Sequence, residues 1–146
     1  EQAEIRSALV DGSNSESYKL VAQVVAHFAA ETVFVAIGKS STYYTGFRFL
    51  FEQPEFKNRG FAVEVGKLID HLDQVMVDLV NRQILRTTVL IGSETPFGRD
   101  CSAVMFKQVG GDQGFLFGIL GPTRMDYDTN VARLEYMQKI ISNSYD

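Results

Sequence analysis

Two apolar stretches, Cys101–Val109 and Phe115–Leu120, flank the segment Gly110-Gly111-Asp112-Gln113-Gly114. Three glycines in five residues supply the positive φ angles that a tight reversal needs, so this stretch reads as a hairpin turn. The flanking runs are apolar at nearly every position, as expected of strands covered on both faces. Antiparallel strands of that kind need helices above and below them.

The rest of the chain supplies those helices. Tyr18, Val21, Val24, Val25, Phe28 and Ala29 recur at three- and four-residue spacing and predict an amphipathic helix from Ser15 to Glu31, with Ser15 or Ser17 as its cap. Thr32–Ile37 reads as a buried strand that stops at Gly38. Val65, Leu68, Ile69, Leu72, Val75, Met76 and Leu79 predict one long helix from Phe61 to Gln83. Ile84–Ile91 is strand-like and ends at Gly92. Val131, Leu134, Met137, Ile140 and Ile141 form a closing helix, with Asp128 or Thr129 near its cap. Lys39 to Gly46 looks like a loop, and Phe47–Phe51 fits a strand or a single helical turn. The aromatics Tyr43, Tyr44, Phe47, Phe49 and Phe51 need cover, either in the core or against a partner. The order predicts an α+β domain with a largely antiparallel sheet flanked by helices. Residues 1–14 form a linker or short leading helix, and residues 15–146 form the domain.

Composition narrows the chemistry. The chain has 146 residues and a formal net charge of −4, which disfavours a direct nucleic-acid grip. No apolar run approaches the roughly 20 residues of a membrane span. The single cysteine, Cys101, excludes an internal disulfide framework and fits a reducing, cytoplasmic location. His27 and His71 have no ligand-type partners at useful spacing, so no metal site is assigned. No phosphate-binding glycine loop occurs, and no nucleophile, base and orienting group assemble, so the chain is read as not an enzyme, with no cofactor. It opens on Glu1 without an initiator Met, as a piece of something larger would.

One local grouping stands out: Gly121-Pro122-Thr123-Arg124-Met125-Asp126-Tyr127, between the last strand and the last helix. Arg124 and Asp126 are close enough along the chain to order the turn by a charge-assisted bond, or to cap neighbouring groups. Arg124 could instead clamp an anion at the strand-to-helix turn. If Arg124 is buried and paired, its removal is expected to cost roughly 3–5 kcal/mol.

GPTRMDY after an apolar strand resembles the closing motif of the HrcA family of bacterial heat-inducible transcription repressors. Tyr44-Thr45-Gly46, Phe49-Leu50 and Gln53-Pro54-Glu55-Phe56 resemble a second family segment. Ile91-Gly92-Ser93-Glu94 and Asp100-Cys101-Ser102 resemble a third. The blocks run in order between Val33 and Ile141. The resemblance implies a GAF-like regulatory domain of a repressor that acts as a homodimer on an inverted-repeat operator ahead of chaperone operons. It also implies a winged-helix DNA-binding domain upstream of this chain and a chaperonin as possible partner. The motif residues Gly121–Tyr127, Gln53, Pro54, Glu55, Phe56, Gly92 and Glu94 would then be structural or regulatory, and Tyr43, Tyr44, Phe47, Phe49 and Phe51 a candidate interface. This chain departs from the family where Thr32–Ile37 runs almost directly into Tyr44-Thr45-Gly46, since the family usually has further strands and an inserted dimerisation domain there; the departure fits a compact variant or a smaller GAF-like sheet. A GAF-like small-molecule sensor is the competing reading, and it expects an enclosed pocket beneath Tyr43–Phe51 and Glu94–Asp100.

Overall fold

A computed structural model describes residues 1–10, 15–38, 41–108 and 114–144. Helices α1 (Gln2–Val10) and α2 (Ser15–Ala29) lead into strand β1 (Thr32–Ile37) and strand β2 (Ser41–Thr45). A single helical turn, α3 (Phe47–Phe51), and a 3-10 turn over Pro54–Lys57 precede helices α4 (Arg59–Asp70) and α5 (Leu72–Asn81). Strands β3 (Thr88–Ile91), β4 (Cys101–Gln108) and β5 (Phe115–Pro122) follow, and helix α6 (Tyr127–Ser144) closes the chain.

The five strands form one sheet in the order β2-β1-β5-β4-β3, and every pairing is antiparallel. This is the α+β architecture expected from the sequence, and it is consistent with a GAF-like domain. The period of two along each strand divides the core cleanly. Val33, Val35, Val104, Phe106, Phe115, Phe117 and Ile119 point toward α1, α2 and α6. Phe34, Ala36, Ala103, Met105, Leu116 and Leu120 point to the other side, toward α3, α4 and α5. Both faces are therefore dry, which is why β4 and β5 read as continuous apolar runs.

Residues 1–14, read as a linker or leading helix, contain α1, whose Ile5 and Leu9 are buried beside α2 and α6. The reversal glycines Gly110 and Gly111, and residues 112–113 beside them, lie outside the described residues, as do Val109 and the side chain of Ser15.

Four elements differ from the sequence reading. The stretch read as a loop up to Gly46 contains strand β2 over Ser41–Thr45, because β1 offers it a full antiparallel register, from Val33 opposite Thr45 to Ile37 opposite Ser41. The long helix expected over Phe61–Gln83 is two helices, and it starts earlier. Asn58 caps α4 by accepting from Gly60 N at 2.8 Å and Phe61 N at 3.4 Å. The ladder then breaks at His71, whose N–H bonds Leu68 O while its Nδ1 donates to Lys67 O. A side chain that bonds a carbonyl four residues back offers the backbone an alternative to the helix. The stripe itself survives the break, with Phe61, Val65 and Leu68 on α4 and Val75, Met76 and Leu79 on α5 buried in one core.

The strand expected over Ile84–Ile91 is only Thr88–Ile91. Continuing its register would set Arg86 opposite Lys107, two like charges. Lys107 instead sends its ammonium to the carbonyls of Val80 and Arg82 at the end of α5. Leu85, 84% exposed, shows that residues before Thr88 have left the sheet.

The closing helix starts at Tyr127, so neither Asp128 nor Thr129 caps it. Asp126 does: Oδ1 accepts from Thr129 N at 3.1 Å and Oδ2 from Thr129 Oγ1 at 2.7 Å. Those two bonds hold its carboxyl below the ordinary value.

Candidate functional site

All three motif blocks meet at one end of the sheet. Ser102 on β4 pairs with Gly121 on β5 and with Ile91 on β3. Thr32 on β1 pairs with Leu120, and Val33 with Thr45 on β2. The N-termini of β1 and β4 and the C-termini of β2, β3 and β5 thus share an edge. The 3-10 turn carrying Gln53-Pro54-Glu55-Phe56 sits beside it.

Arg124 joins them. Its Nε donates to the Glu55 carboxylate at 2.9 Å, and its Nη2 donates to Gln53 Oε1. The sequence reading let Arg124 and Asp126 pair across the turn or cap neighbouring groups. The structure decides between them: Asp126 is spent on the α6 cap, and Arg124 clasps a turn 69 residues away. The clasp is half open to water, with the Arg124 side chain 56% exposed and Glu55 30%.

The other motif residues serve the same junction. Tyr127 donates its hydroxyl hydrogen to Thr123 O and shares a hydrogen bond of 2.8 Å with the fully buried Ser102 Oγ. Met125 is buried, and its Sδ accepts from Asn130 Nδ2 at 3.2 Å. Pro122 ends β5 opposite Cys101, and Thr123 is exposed. Gly46 takes φ +83°, and a Cβ there would stand 2.8 Å from Glu31 O. Thr32 Oγ1 donates to Gly46 O at 3.0 Å. The Phe56 ring lies tilted against Phe51, with centroids 5.0 Å apart. Gly92, with φ +62°, and the exposed Glu94 lie further along the same edge, in the turn that follows β3.

Sequence reasoning passed over Glu31. It precedes a strand whose first five residues are all buried, and β1–β5 register sets it opposite the side-chain-free Gly121. An acid directly before a fully apolar strand was the available signal. Burial pushes its carboxyl up to about 7, while Arg124 opposes that and Glu55 adds to it.

The aromatic run divides between the two cores. Tyr43 and Phe49 pack against the core on the α2 side, Tyr44 and Phe47 against the core under α4 and α5. Phe51 stays 42% exposed. Tyr44, Phe47, Phe51, Phe56 and Phe61 form a chain of ring contacts from β2 to α4.

Cys101 is buried, and its thiol is pushed up to about 12 by burial, with Asp100 and Glu64 adding to it. A thiol held protonated is a poor nucleophile. No group of three or more His, Cys, Asp or Glu able to hold a metal occurs among the described residues. Where the sensor reading expects an enclosed pocket, the structure has two hollows open to solvent. One of about 380 Å³ is lined by Gln23, His27, Thr45 and Arg48. The other, of about 310 Å³, is lined by Glu55, Asn58, Arg99, Asp100 and Thr123. No helix among the described residues is long and apolar enough to cross a membrane.

Fold and motif together define an α+β domain in which widely separated signature segments are tied to one sheet edge. The family model described as the HrcA protein C terminal domain matches residues 2–131, and the chain belongs to that family. The heat-inducible transcription repressor HrcA of Carboxydothermus hydrogenoformans is 36% identical over 99 residues, covering 64% of this chain and 28% of that protein. The repressor of the same name from Chlorobium phaeobacteroides is 34% identical over 113 residues, covering 68% and 31%. That of Thermoanaerobacter sp. is 25% identical over 151 aligned positions, covering 92% and 44%. The chain thus spans less than half the length of these relatives. No solved structure matches it.

Proposed function

We propose that this chain is the regulatory part of a heat-inducible transcription repressor and that its own work is non-catalytic. It holds two protomers together in the cytoplasm and makes operator binding conditional on its folded state. Contact with an inverted-repeat operator ahead of chaperone operons belongs to a winged-helix region elsewhere in the full-length protein, and a chaperonin assists the active form.

The observation that carries this reading is the clasp of Arg124 on Glu55 and Gln53. Residues of two signature blocks are used to close the scaffold, not to present reactive groups to a substrate. A domain of this size is stable by about 5–15 kcal/mol, so moderate heating populates its unfolded form and withdraws the repressor by mass action. Phe51, flanked by Phe47 and Phe56, is the proposed contact between protomers, since exposed aromatics favour interfaces.

The test uses the full-length repressor. Operator binding by fluorescence anisotropy and unfolding of this domain by circular dichroism are followed over one temperature ramp. The two midpoints are expected to coincide, and Arg124→Ala should lower both together. Loss of operator binding while the domain remains folded would overturn the coupling. Phe51→Glu should shift the gel-filtration mass toward the monomer, and an unchanged mass removes the proposed contact.

A further inference from the structure

Glu31 closes the connection between α2 and β1, and its carboxylate fills the space beside Gly121. A Cβ at position 121 would come within 2.5 Å of Glu31 Oε2. The residue is only 8% exposed, and Oε2 is buried with no hydrogen-bond partner among the described residues. Two charged groups act on it: Arg124 from the β5–α6 turn and Glu55 from the 3-10 turn. The β2–α3 junction brings Gly46 against its backbone, and β5 brings Gly121, neither with a side chain.

Arg124 thus acts on two carboxylates, favouring the ionised form of Glu31 while its guanidinium is bonded to Glu55 and Gln53. A buried carboxylate oxygen without a donor of its own makes the group costly when ionised and inexpensive when protonated. We propose that Glu31 is a proton-binding site that governs the clasp. Protonated, it is neutral and leaves Arg124 to Glu55 and Gln53. Ionised, it draws on Arg124 and loosens the junction between the 3-10 turn and the β5–α6 turn. This reading concerns the domain alone and stands or falls independently of the repressor function.

The sign follows from burial. The native carboxyl titrates near 7 against 4.5 in an unfolded chain, so the native state holds the proton more tightly between those values. The stability contributed by Glu31 is complete below 4.5 and is lost as pH rises through 7.

The test is a carbon-13 NMR titration of the Glu31 carboxyl in this chain, with the Arg124 Nε–H signal followed in parallel. The expected midpoint is near 7 for both. A carboxyl midpoint close to the ordinary 4.5, or an Arg124 signal that ignores the titration, overturns the proposal. Glu31→Gln fixes the neutral form. Its melting temperature should stay level between about pH 5 and 8, where that of the unsubstituted chain falls. Equal slopes in the two chains also overturn it. Should that variant fail to fold, Glu55→Gln serves instead: it relieves a like charge and frees Arg124, so the Glu31 midpoint must move down, and a fixed midpoint denies the competition.

Discussion

The ring of Phe34 ends against the α-carbon of Gly118, its cross-strand neighbour, so closely that a β-carbon at 118 would stand 2.1 Å from the ring Cζ. Gly118 lies mid-strand between two buried neighbours, where glycine ordinarily weakens a sheet. Here its missing side chain makes room for an aromatic ring that also packs 5.1 Å from Phe97.

Gly118→Ala should therefore destabilise the fold by about 1–3 kcal/mol through overpacking. Pairing it with Phe34→Leu should recover part of that loss, because the smaller side chain vacates the ring's space. Urea denaturation of the two single variants and the double variant checks this. Additive losses would show that the ring and the glycine do not constrain one another.

Cys101 gives a kinetic prediction. Its thiol is buried and held protonated well above neutrality. Alkylation by iodoacetamide at about pH 8 should be negligible in the folded chain and fast in denaturant, so its native rate should track the opening of β4. Rapid labelling of the folded chain would refute the burial of this strand end.

What the sequence disclosed and what it hid divide by distance along the chain. Strands β4 and β5 were legible because both faces are buried, leaving apolar runs that end at glycines. The stripes of α2, α4, α5 and α6 were legible for the same local reason. The break at His71 was not, since the apolar stripe continues through it and only a ring-to-carbonyl bond marks it. The truncation of β3 depends on Lys107 meeting carbonyls 25 and 27 residues away. Gln53, Glu55 and Arg124 were each singled out as motif residues, yet their meeting is a fact of the sheet edge. Glu31 escaped notice because its burial depends on Gly121, which only strand register brings opposite.

A second long-range anchor fixes α1. Arg133 Nε lies 2.5 Å from Glu1 Oε1, Nη1 donates to Asn130 Oδ1 at 2.8 Å and Nη2 to Phe28 O at 3.2 Å. One guanidinium thus ties the start of α1 and the end of α2 to α6. The side chain is 17% exposed, so its loss leaves partly buried acceptors unpaired. Arg133→Ala should cost about 1–3 kcal/mol and raise hydrogen exchange in α1 before the sheet opens. Uniform loss of protection across α1 and the sheet would show that α1 is not separately anchored.

Arg124 is the residue whose expected cost the structure changes most. As a buried pair it was assigned roughly 3–5 kcal/mol, but more than half of its side chain is exposed, and water screens what remains. Arg124→Ala should cost only about 1 kcal/mol, with part of that disappearing at about 1 M salt. Arg124→Lys should behave almost like the alanine variant. Gln53 and Glu55 are held by different nitrogens of one planar fork, which a single ammonium cannot reproduce. Denaturation midpoints of the three chains at low and high salt decide it. A loss above about 3 kcal/mol that is indifferent to salt would mean that the clasp is shielded from water after all.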